Sequence, residues 1–105
     1  MMFMISYIPA TEDPATVERF DAAVKLIGNW ANHLAKQHVW LVASRLNAGQ
    51  IRDQLKPFIN TDKGDRLFVA RIAQNWAGTN MGEKFPEWLK GQEFGLFNNP
   101  VKSES

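Results

Sequence analysis

VWLVASRLNAGQIRDQLKPFINTDKGDRLFVARIA, residues 39–73, holds one complete strand–helix–strand unit. Val39 to Ala43 are continuously apolar, the pattern of a central strand covered on both sides. Asn47 and Gln50 have the spacing of a capping box: a side-chain oxygen at the cap and a glutamine three residues on. Ile51, Leu55 and Phe58 then lay an apolar stripe along the helix that follows. Pro57 ends or kinks this helix, because its ring clashes with the preceding turn. NTDKGD reads as a turn, and RLFVARIA as an alternating strand. Leu67, Val69 and Arg71 face one way along it, and Phe68, Ala70 and Ile72 the other.

The same grammar extends towards the N-terminus. MMFMISYIPATEDP opens with a strand over Phe3 to Ile8, apolar on both faces and ended by Pro9, which cannot donate to a ladder. Asp13 before Pro14 is a cap followed by proline at the first helical position. Val17, Phe20, Val24 and Ile27 form one stripe on the resulting helix. Glu12, Asp13 and Glu18 near its start and Lys25 near its end complement its dipole, and Gly28 stops it. GNWANHLAKQHVWLVAS then predicts a hairpin, with arms Trp30–Leu34 and Val39–Ala43 and a turn near Lys36-Gln37.

The order is strand, helix, strand, strand, helix, strand. Two right-handed crossovers put the first and third strands in the middle of a four-stranded antiparallel sheet. These are the two most apolar strands, as that arrangement requires. The expected fold is α+β, a ferredoxin-like βαββαβ sandwich with both helices on one sheet face. The other face would be left apolar and open, the mark of a partner surface, and the simplest partner is a second copy about a two-fold axis. An aromatic extension follows from about residue 74, with Trp76, Phe85, Trp88, Phe94 and Phe97. It is expected to dock on its own sheet edge or on a neighbour's, and Pro86 to Lys90 suit a helical turn. Residues 1–97 thus read as one domain and 98–105 as a flexible tail.

Composition removes several classes of function. The chain has 105 residues and a formal charge of +1, so its total charge does not mark it as a nucleic-acid binder. It has no cysteine, which excludes disulfides, zinc–thiolate sites and thiol nucleophiles. The N-terminal apolar run is too short for a signal-peptide core or a bilayer span, and a cytoplasmic location is expected. No glycine-rich phosphate loop, G-x-S-x-G or H-E-x-x-H motif is present.

Several short motifs, taken in order, resemble a family. They are Ser6-Tyr7 at the end of the first strand, Gly28-Asn29-Trp30 before the hairpin, Trp40-Leu41-Val42, Gln50-Ile51-Arg52-Asp53, Gly64-Asp65-Arg66-Leu67 and Trp76-Ala77-Gly78. Over residues 3–78 the chain is similar to small bacterial and phage proteins labelled SinR-like. These look like diverged relatives of the small ferredoxin-like CRISPR adaptation subunit. A helix-turn-helix regulator, which the label suggests, needs two helices joined by a tight turn, whereas here strands flank every helix. The resemblance implies a ferredoxin-like homodimer. In nuclease-active relatives the first strand ends in Tyr-Asp, and the aspartates across the dimer axis are thought to hold a divalent metal such as Mg or Mn. Here Tyr7 is followed by Ile8, which offers no lone pair.

The expectation is therefore a non-catalytic homodimeric interaction module that binds a protein or nucleic acid, with no cofactor and no metal. The alternatives are a divalent-metal-dependent nuclease, with Asp13 or Glu12 replacing the missing acid, and a phage or plasmid factor acting on host defence. Helix capping accounts for both acids without further assumption. His33 and His38 flank the hairpin turn without a third metal ligand. Arg45, Arg52, Arg66 and Arg71, with Lys56, are the candidate phosphate contacts, although a solvated face explains them more simply. Tyr7, Ile8, Trp30 and Trp40 are the dimer-interface candidates; the tryptophans also suit base stacking.

Overall fold

The computed structural model describes residues 1–34, 38–73, 77–79, 81 and 84–92, and the side chains of 31–34 are left aside. The turn at Lys36-Gln37, the pair Asn75-Trp76, and the segment with Phe94, Phe97 and the 98–105 tail lie outside the described residues. The chain is α+β. Strands β1 (Met2–Ile8), β2 (Asn29–Leu34), β3 (Val39–Ala43) and β4 (Arg66–Arg71) alternate with helices α1 (Pro14–Lys25), α2 (Ala48–Leu55) and α3 (Lys84–Lys90).

The sheet is antiparallel with order β2-β3-β1-β4. β1 is central, running from Met2↔Ala43 to Ser6↔Val39 against β3 and from Phe3↔Arg71 to Ile8↔Arg66 against β4. α1 and α2 start where their cap residues place them. Asp13 accepts from the Ala15 amide at 3.1 Å and the Thr16 hydroxyl at 2.9 Å. Asn47 and Gln50 form the reciprocal capping box at 2.8 and 2.9 Å. α2 stops at Leu55, and Pro57 sits inside a short 3-10 turn, Lys56–Phe58. Gly28 is required by space: a Cβ there would collide with the Ala43 carbonyl.

The period-2 alternation divides β1 between two environments. Phe3, Ile5 and Tyr7 face α1 and α2 and are buried with Phe20, Val24, Trp40, Val42, Ile51 and Leu55. Phe20 stacks on Tyr7 with centroids 4.5 Å apart and tilts against Trp40 at 5.1 Å, locking α1 to the sheet. On the opposite, outer face, Met2 is fully buried under Leu89 of α3, with Leu41, Ala43, Ile72, Phe85 and Trp88 around them. This corrects the expectation that the chain's own helices cover one face only. The seven-residue α3 seals the Met2 end of the outer face, because its Phe85, Trp88 and Leu89 present one apolar side. The Ile8 end stays open, with Ile8 55% and Phe68 60% exposed. Among the described residues, no helix is long and apolar enough to cross a membrane.

Candidate functional site

The end of β1 carries two features back to back. On the helix side, the Tyr7 ring is buried while its hydroxyl reaches a cleft of about 680 Å³ whose lining includes Asp13, Arg19, Phe58, Lys63 and Asp65. On the outer side lie Ile8 and Phe68. Ser6 pairs with Phe68 and Ile8 with Arg66, so the open apolar side chains are neighbours with an exposed arginine at their rim.

Asp65 lines the cleft beside Tyr7. Gly64 takes φ +99°, a left-handed conformation that suits glycine, and turns the chain into β4. The Asp65 carboxylate then accepts from the Tyr7 hydroxyl at 3.2 Å, the Ala10 amide at 2.8 Å and the Asn60 amide at 2.8 Å. One side chain thus ties together the loop after β1, the segment before β4 and the core tyrosine. The two backbone amides hold the Asp65 carboxyl below its ordinary range. Burial, and then the charge of Asp65, push the Tyr7 hydroxyl up to about 12.

This clasp bears on the metal that the family resemblance raises. Ile8 supplies no ligand at the strand end, and the acid closest to it by register, Asp65, has both oxygens occupied by protein donors. Asp13 is committed to capping α1. Glu12 lies 3.3 Å from His38 Nε2, a pairing the sequence did not reveal. Among the described residues, no three His, Asp or Glu side chains gather as a ligand set. The residues at the end of β1 therefore do not fit a shared divalent ion.

The remaining candidates are dispersed. Arg66 is exposed on the outer face, whereas Arg71 is half-buried on the helix face at the far end of β4. Arg52, on α2, is held by Asp53 at 2.9 and 3.0 Å, and Arg45 is exposed after β3. These four cations do not line one groove. Of the four interface candidates, Tyr7 and Trp40 are sealed in the chain's own core, and the Trp40 indole donates to Asp21 at 2.8 Å. Trp30 is half-buried beneath Lys25, whose ammonium lies 4.9 Å from the ring centroid. Ile8 alone of the four is largely exposed. His33 lies in β2, but its side chain is outside the described residues.

Sequence reasoning missed Asp65 and Phe68 as site residues. Antiparallel pairing of β1 with β4 brings the start of β4 beside the end of β1, so Asp65 reaches Tyr7 only once that pairing is known. No family model, curated protein or solved structure matches the chain.

Proposed function

We propose that the chain is a ferredoxin-like, non-catalytic interaction module that works as a homodimer, akin to the CRISPR adaptation subunit it resembles. One observation carries the reading. The chain spends a whole helix, α3, on the outer sheet face, yet leaves Ile8 and Phe68 open at the other end of that face. Neighbouring exposed apolar side chains rimmed by a charge are the composition of a protein interface. The reading as a binding module, not an enzyme, is supported by the acids at the end of β1, which are engaged in caps and clasps.

The test is sedimentation equilibrium of the full chain beside an Ile8→Lys/Phe68→Lys double variant. Dimers are expected for the native chain and single protomers for the variant; native-like dimers of the variant would refute the proposed surface. The dimer's wider partner is a protein or a nucleic acid in the cytoplasm. Titration with salt separates the two, because phosphate contacts lose affinity steeply as salt rises.

A further inference from the structure

The cleft on the helix side of the sheet holds side chains that the Tyr7–Asp65 clasp does not use. Phe58 belongs by spacing to the apolar stripe of α2, and its companions Ile51 and Leu55 are buried. α2 stops at Leu55, however, and the turn containing Pro57 carries Phe58 out to the cleft, where it is 43% exposed. A large aromatic ring is thus left bare in a concavity. The volume of that concavity, about 680 Å³, lies inside the range of roughly 300–1,000 Å³ typical of small-molecule sites.

The charged lining is unequally committed. Asp13, Arg19, Lys63 and Asp65 all border the cleft. The two acids are spent within the chain, Asp13 on the Ala15 amide and the Thr16 hydroxyl, Asp65 on Tyr7, Ala10 and Asn60. The two cations are not. Among the described residues, no carboxylate lies within ion-pair distance of Arg19 or Lys63. The Arg19 guanidinium donates to the Thr16 hydroxyl at 3.4 Å, a long bond made by one of its nitrogens. Lys63 ends a second 3-10 turn, Thr61–Lys63, and its amide is fixed by the Asn60 side chain at 3.2 Å, which leaves the ammonium to the cleft.

We infer that this cleft is a binding site for a nucleoside monophosphate. Arg19 and Lys63 take the phosphate, and Phe58 stacks on the base. Two uncompensated cations suit a group that carries nearly two negative charges at neutral pH, and the guanidinium fork matches phosphate oxygens in pairs. A bare phenyl ring offers any base a π-face. The acids do not turn such an anion away, because their oxygens already face donors of their own chain. The walls are set before the ligand arrives: the clasp joins the loop after β1 to the segment before β4, and Asp13 anchors the first turn of α1. A site built in advance loses less to ordering when it is filled.

Calorimetric titration of the native full chain with adenosine monophosphate, adenosine and inorganic phosphate tests the site, and amide NMR shifts locate it. The nucleotide is expected to bind, to bind less tightly as salt rises, and to shift the amides of Ala10, Phe58, Asn60 and Lys63. Adenosine and inorganic phosphate should each bind at least roughly tenfold more weakly, since each lacks one half of the recognition. Arg19→Gln, Lys63→Gln and Phe58→Leu should each raise the nucleotide's dissociation constant roughly tenfold. All three positions are exposed, so thermal unfolding should be unchanged. No saturable binding at millimolar nucleotide, or shifts confined to other amides, overturns the site. Inorganic phosphate binding as tightly as the nucleotide removes the ring from recognition, adenosine doing so removes the cations, and either result overturns the nucleotide reading. The titration of the native chain needs no variant, so it decides even if a substitution disturbs folding. The cleft and the Ile8–Phe68 surface lie on opposite sides of the sheet, so sedimentation reads the homodimer separately and either proposal can fail alone.

Discussion

At the Met2 end of β1 the outer sheet face lies under α3; at the Ile8 end, on the same strand and face, it is bare. Met2 is 0% exposed and Leu89 2%, against 55% for Ile8 and 60% for Phe68. The side chains at the two ends are comparably apolar, so composition does not account for the difference. It comes from the position of α3, which packs on the Met2 end and is only seven residues long. One end is thereby used for stability, and the other stays open to solvent. Behind the bare end, the Tyr7–Asp65 clasp holds the loops so that the open surface has a rigid backing.

The largest expected effect falls on the covered end. Leu89→Ala should lower the unfolding free energy by about 3 kcal/mol, through lost burial and the cavity it leaves, as measured by urea denaturation. A loss near zero would mean that α3 does not stabilise the sheet, and the contrast between the ends would disappear.

Next comes the clasp. Asp65→Ala should cost about 2 kcal/mol, since it removes three hydrogen bonds, two from exposed backbone amides and one from the part-buried Tyr7 phenol. Its pH signature has a definite sign. Because the folded-state carboxyl is held below its ordinary value of 3.8, its stabilisation is present above that value and is lost as pH falls through the lower folded one.

Tyr7→Phe should cost less, about 1 kcal/mol for one hydrogen bond. Tyr7 is the chain's single tyrosine, so phenolate absorbance follows this group alone. The titration should centre near pH 12 in place of 10. The Tyr7 contribution to stability is complete below pH 10 and is lost as pH rises through about 12. A midpoint at the ordinary value would dissolve the clasp.

The smallest effect on protomer stability belongs to the bare end. Phe68→Ser should change it by no more than about 0.5 kcal/mol, as for other exposed positions. A much larger loss would show that Phe68 supports the protomer's own fold.

Most of the architecture was legible because it was encoded locally. Asp13-Pro14, the Asn47–Gln50 box and the alternation of RLFVARIA each act within a few residues, and the two most apolar strands lie side by side in the centre of the sheet as expected. The misses all depended on distant partners. Trp40 looked available to a second copy, but its indole is satisfied by Asp21 on α1. Asp65 read as a turn residue because its three donors come from Tyr7, Ala10 and Asn60, and two of them are remote in the chain. The docking of α3 on Met2 was hidden because seven residues containing a proline carry little periodicity, and only the place of return decides which face they cover.

The central claim is that a second copy covers the bare end of β1. Sedimentation equilibrium of the full chain over a wide concentration range tests it most directly. A reversible dimer that the Ile8→Lys/Phe68→Lys double variant abolishes without unfolding the protomer is the predicted result. Single protomers at every concentration would contradict it.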